Sequence, residues 1–284
     1  MRSKTFLKAL GISLAALMMA GPASAVPQFA VWLDGVLGPN SNAIPGRLNS
    51  FFGAGVATLV TTAQLETVGF LTPFDTVIVS RNGSSFGTFL TALAAANVKA
   101  YVGAPGPLQG GVALFTNDAA DNLLGAASGD PFDANIDRLF TNAAGFAAAT
   151  HHGYIGEFNG AVIGVTSNAS GATPLGLLAG SAGVLSGAGS QFTYGVGPVG
   201  AGNPIDAGVT FPFTDSDGTP YLTRITGADA GNVVDIYTNS GINGLPAVLA
   251  NRQVIGQAVP EPGSLLLLAI GLAGLGLARR GAPK

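Results

Sequence analysis

Apolar residues in the first half of the chain follow two alternating rhythms. Phe29 to Leu33 (FAVWL) is a continuous apolar run that stops at Asp34-Gly35, the pattern of a buried strand entering a turn. Ile44, Leu48, Phe51 and Phe52 recur at helical spacing and predict one face of a helix that Gly53 and Gly55 close. Ala57 to Thr61 predicts a second strand, and Asp75 to Ser80 (DTVIVS), entered from Pro73, a third. Phe86, Phe89, Leu90 and Leu93 predict a helix ending near Asn97, with a fourth strand at Val98 to Val102. Asp130-Pro131-Phe132-Asp133 predicts another helix start. Asp130 would cap it, Pro131 would take the first helical position, and Asp133 would meet the positive end of the dipole. Phe132, Ile136, Leu139, Ala143 and Ala147 then line one face, up to Thr150.

Beyond Gly160 the run AVIGV predicts a strand, and Ser167 to Gly202 is rich in glycine, alanine and serine. YLTRIT at 221–226 and NVVDIYT at 232–238 predict further strands. Apolar strands alternating with helices are the mark of a parallel sheet covered on both faces. The expected fold is α/β: a single doubly wound, flavodoxin-like, mostly parallel sheet over residues 26–258.

The two ends of the chain break these rhythms. Arg2, Lys4 and Lys8 precede an apolar stretch from Ala9 to Ala20, Gly21-Pro22 interrupts it, and Ala23-Ser24-Ala25 follows. This is the layout of a secretory signal peptide over residues 1–25, with Ala23 and Ala25 as the signal-peptidase site. At the other end Leu265 to Ala278 is uncharged and closed by Arg279-Arg280. At about 1.5 Å per residue this helix falls short of a roughly 30 Å hydrocarbon core. Snorkelling arginine stems and a headgroup-level Pro262-Gly263-Ser264 would extend it, giving a transmembrane helix over 264–278. The basic end would stay on the cytoplasmic side, leaving the domain outside. An amphipathic surface helix does not fit, because the run has no polar face.

Val259-Pro260-Glu261-Pro262, then a short Leu/Gly/Ala helix, then a terminal arginine pair resembles the PEP-CTERM sorting signal of Gram-negative bacteria. The resemblance covers residues 259–284. It implies that an exosortase, a transpeptidase-like membrane protease, recognises Pro260, Glu261 and Pro262, with Arg279 and Arg280 as the anchor stop. It also implies passage through the inner membrane and delivery to the cell surface or extracellular matrix, where exopolysaccharide is a candidate partner. Gly281-Ala282-Pro283-Lys284 after the arginines departs from the pattern. The order of elements in residues 26–258 is loosely similar to glutamine-amidotransferase-like domains, but that family's nucleophilic cysteine is missing.

The chain has no cysteine, which removes disulfides, thiol nucleophiles and thiolate metal sites. Residues 26–258 hold six Lys and Arg against fourteen Asp and Glu, a formal charge of −8 rather than the −3 of the whole chain. Nucleic-acid partners are therefore not expected. No cofactor is expected either.

Three constellations are candidates for chemistry. Gly83-Ser84-Ser85-Phe86-Gly87 matches the G-x-S-x-G of a nucleophile elbow, and with His151 or His152 would make Ser85 a serine-hydrolase nucleophile. Arg81-Asn82 intervene where an elbow turns at once, and a serine capping the next helix explains the same letters. His151 and His152 are adjacent, so their side chains diverge, and a helix C-terminus suits them better than a metal. Asn117, Asp118, Asp121 and Asn122, and Asp215-Ser216-Asp217-Gly218, offer loop oxygens to calcium, as a calcium-dependent glycan-binding module would. The second loop lacks the closing glutamate of an EF-hand. In a doubly wound sheet Asp34, Arg81, Ser85 and Gly103 to Gly106 would gather at the carboxyl ends of the strands. These residues favour an exported protein with a non-catalytic structural or binding role.

Overall fold

The computed structural model describes residues 26–33, 43–81, 90–106, 108–115, 119–124, 132–158, 177, 183–187, 193–196, 203–214, 222–226, 233–239 and 245–251. All lie in a compact unit, Val26–Gln253. The predicted signal peptide, the tail after residue 251 and the predicted strand at 161–165 lie outside the described residues.

Chain order begins β1 (Phe29–Leu33), α1 (Ala43–Phe52), β2 (Ala57–Val60), α2 (Thr62–Leu65) and β3 (Thr76–Arg81). It continues with α3 (Ala92–Val102), β4 (Val112–Phe115), a short 3-10 turn at Ala119–Asn122, α4 (Ala134–Ala148) and β5 (Gly153–Phe158). The strands β6 (Gly183–Gly187), β7 (Thr193–Val196), β8 (Phe213–Thr214), β9 (Leu222–Thr226), β10 (Val233–Asn239) and β11 (Leu245–Asn251) follow.

Among the described residues nine strands form one sheet in the order β2-β1-β3-β5-β4-β11-β10-β7-β8, and β6 pairs with β9 separately. The first five are mutually parallel, and β11 joins β4 in the antiparallel sense. The result is a mixed α/β fold whose six-strand block is mostly parallel, continued by antiparallel β10, β7 and β8. The parallel order is 2-1-3-5-4, where a flavodoxin-like sheet runs 2-1-3-4-5. Glycine suits β5 to its interior place: a Cβ at Gly153 would run into the Ala147 carbonyl at the end of α4.

Strand alternation sorts the core into two layers. Phe29, Val31, Ile78, Ala113, Phe115 and Ile155 face α1 and α4. Ala30, Trp32, Val77, Val79, Val112, Leu114 and Tyr154 face α2 and α3. Helices therefore cover both faces of the parallel block.

Several expected elements are displaced. Val98 to Val102 is helix, not strand: Ala94, Val98 and Val102 fall at i, i+4 and i+8 and are buried, so packing outweighs the β-branched valines. Thr91 caps this helix and Gly103 (φ +88°) ends it; the fourth strand lies further on, at Val112–Phe115. Helix α4 is capped by Asp133, whose side chain accepts from the N–H groups of Asn135 and Ile136. Asp133 thus takes the capping role expected of Asp130, and Asp130 and Pro131 lie outside the described residues. Phe51 and Phe132 turn to solvent instead of joining the helix faces predicted for them.

Candidate functional site

The amino ends of β3 and β5 hold a cluster built from three segments. The turn between α2 and β3 sinks Leu65 and Leu71 into the α2/α3 layer and leaves Thr67, Val68, Gly69 and Thr72 exposed. The last turns of α3 present Asn97 and Tyr101, and the turn from α4 into β5 presents His151 and His152. Together they line a cavity of about 330 Å³, with Leu65, Leu71, Thr72, Asn97, Tyr101 and His152 among its walls.

Asp75 anchors this end of the sheet. One carboxylate oxygen accepts the Gln28 N–H at 2.8 Å, and the other lies 2.5 Å from His151 Nδ1. Its backbone carbonyl accepts from Gly153 N–H, so one residue ties together the starts of β1, β3 and β5. His151 is mostly exposed, so the ion pair it can make with Asp75 is worth little by itself.

Both histidines sit in the left-handed region, His151 at φ 52° and His152 at φ 61°. Residues with a Cβ enter it at a cost, and two in succession need surroundings that impose the shape. Those surroundings are close by: a Cβ at Gly110 would run into the His152 carbonyl, so glycine lets the chain before β4 press on the turn. Tyr101 holds it from the other side. Its hydroxyl donates to the Phe74 carbonyl at 2.9 Å, and its ring lies 4.8 Å from the His152 imidazole. Burial, and then the Asp75 charge, push the Tyr101 hydroxyl above its ordinary value, so it stays protonated.

Most side-chain donors in the walls are spent on the fold. Asn97 Nδ2 donates to the Leu65 carbonyl, Thr67 Oγ1 to Ala63 and Thr72 Oγ1 to Gly69. What they offer the cavity is chiefly acceptor capacity: the Asn97 carbonyl oxygen and the lone pairs of the two threonines.

The expected gathering at the carboxyl ends does not form as predicted. Arg81 ends β3, whereas Gly103 to Gly106 follow α3 and precede β4, at the opposite end of the sheet. The error follows from taking residues 98–102 as a strand, which reversed the direction of the loop. Asp34 and Ser85 lie outside the described residues, as do Asn117, Asp118 and Asp215 to Gly218. His151 and His152 do follow the C-terminus of α4. Among the described residues no group of three His, Asp or Glu side chains could hold a metal ion. Asp75, Tyr101 and Asn97 were missed as site residues: an aspartate before a strand and a tyrosine and asparagine in a helix carry no distinguishing sequence mark.

Residues 258–280 match the PEP-CTERM protein-sorting motif. The match takes in Pro260, Glu261 and Pro262 and reaches Arg279 and Arg280. The motif implies an exported protein processed by an exosortase. No curated protein and no solved structure matches the chain. Among the described residues no helix is long and apolar enough to cross a membrane; the predicted helix at 264–278 lies outside them.

Proposed function

We propose that this chain is an exported cell-surface or matrix protein whose α/β domain, residues 26–258, has a non-catalytic binding or structural role. The observation that carries the reading is the PEP-CTERM match at residues 258–280. In this reading a signal peptidase cuts after Ala25. The helix 264–278 holds the exported chain in the inner membrane, Arg279 and Arg280 stop it there, and an exosortase acts at Pro260-Glu261-Pro262. The compact unit Val26–Gln253 is then the working protein.

The domain's site supports binding over catalysis. His151 is engaged with Asp75 at the start of β3, and among the described residues no serine, aspartate or glutamate lines the neighbouring cavity. Exchanging Glu261 for Ala in the native host tests the sorting step. The reading expects the chain to accumulate in the inner membrane with its tail retained. An unchanged distribution between membrane, surface and medium would overturn it.

A further inference from the structure

We propose that the cavity between the α2–β3 turn, the end of α3 and His152 binds one ring of a neutral sugar. The proposal rests on the binding role argued above and names the site and ligand class for it.

Four features select the ligand. The first is size: at about 330 Å³ the cavity lies at the small end of the roughly 300–1,000 Å³ range of small-molecule sites and suits one sugar ring. The second is charge. No Lys, Arg, Asp or Glu lines the cavity, and the nearest charge the structure shows acting on its wall is the negative one of Asp75 on Tyr101. A phosphate or carboxylate would find no cation, and a metal ion would find no ligand set. The third is polarity. The two threonine hydroxyls have spent their donors on the fold and Asn97 keeps its carbonyl oxygen, so the wall presents chiefly acceptors, which match a ligand rich in O–H donors. The fourth is an aromatic wall. Tyr101 and His152 pack at 4.8 Å beside Leu65 and Leu71, apolar surface for the C–H face of a sugar ring.

His152 is the residue that the proposal turns on. Its backbone is held in the left-handed region, where glycine would rest without cost, yet an imidazole stands there. Among the described residues its ring makes no hydrogen bond and packs against Tyr101. Placed at the cavity wall, its imidazole can offer an N–H to a ring or hydroxyl oxygen.

The test uses the full-length chain and saturation-transfer NMR with methyl glucoside, methyl galactoside, methyl mannoside and N-acetylglucosamine. Glucuronate serves as the anionic control and a neutral glucose tetrasaccharide as the polymer probe. At least one neutral hexoside should receive saturation, glucuronate should not, and His152→Gly should weaken the effect at least tenfold with an unchanged melting temperature. Thr72→Val, on the exposed rim, should weaken it several-fold. Tighter binding of the tetrasaccharide would mark a polysaccharide as the source, and preference for the monosaccharide a free sugar; either supports the site. No transfer to any neutral hexoside, equal transfer to glucuronate, or full binding by His152→Gly would overturn it. If binding fails while the chain still reaches the surface, only the sugar site falls and the sorting reading stands.

Discussion

On the α1/α4 face of the sheet the helices are clamped to one another; on the α2/α3 face the turn after α2 stands against the end of α3 and leaves a cavity. Arg47 of α1 grips Asp137 of α4 through two bonds of 2.6 and 2.7 Å, both side chains nearly buried, and stacks over Phe51. Asn142 of α4 adds two 2.8 Å bonds to the carbonyls of Ile205 and Ala207, drawing the later part of the chain onto the same layer. On the other layer, among the described residues, no ion pair joins α2 to α3, and the Asn97–Leu65 bond is what links them. Its other polar contacts are Trp32 to Thr62 and Thr91 to Glu66, and of these residues only Asn97 and Leu65 line the cavity. The difference suggests a division of labour, with one face holding the domain together and the other left open to a ligand.

If that division holds, damage at the clamp and at the turn between the layers should register as lost stability, and damage at the cavity as lost binding. The largest effect is expected at the turn where the two layers meet. Gly153→Ala forces a methyl group into the Ala147 carbonyl, and should cost about 3 kcal/mol or more in urea unfolding. Next comes the clamp. Asp137→Ala leaves Arg47 nearly buried and unpaired, and should cost about 3 kcal/mol while sugar binding by the folded fraction stays unchanged. Equal loss of binding would break the comparison.

A smaller, pH-dependent effect is expected at Asp206, in the 3-10 turn packed on α4. Both its carboxylate oxygens are buried without partners, and burial pushes its carboxyl up to about 7 from 3.8. The folded state therefore holds this proton more tightly than the unfolded chain. Below about pH 4 both states are protonated and no penalty exists. Between about 4 and 7 the unfolded chain ionises first, so stability falls as pH rises, and above 7 the penalty is complete. Asp206→Asn should raise the melting temperature at pH 8 and leave it nearly unchanged at pH 4; an equal change at both would contradict the assignment.

The smallest effect on stability belongs to the cavity. His152→Gly should move the unfolding free energy by no more than about 0.5 kcal/mol, because relief of the left-handed backbone offsets the entropy of glycine. A large loss of stability from this change would make His152 a structural residue after all.

How much of this was visible in the sequence depended on local pattern. β1, β2 and β3 are apolar runs between breakers, and α1 and α4 carry clear 3.6-residue periodicity, so all five were legible. β5 was not, because GYIGEF has two glycines and a glutamate where an interior strand usually shows branched apolar residues. β11 carries Pro246, which argues against an interior strand, yet it lies between β4 and β10. Its pairing with β10 shifts register between Asp235 and Thr238, opposite Val248 to Pro246, the kind of irregularity that admits proline. The candidate site was hidden for a different reason. Asp75, Asn97, Tyr101 and His152 are brought together only by the sheet order, and the apolar run at 98–102 reads as a strand in the sequence alone. The tail is the opposite case: its motif, its apolar run and its arginines are contiguous in sequence and need no fold to be recognised.

The central claim is that the tail is an address removed before the domain does its work. Intact mass of the protein recovered from envelope, matrix and medium of its native host tests it most directly. A product beginning at Val26 and ending near Pro260 to Pro262, outside the inner membrane, is the predicted result. A chain retaining every residue through Lys284 and found only in membranes would contradict it.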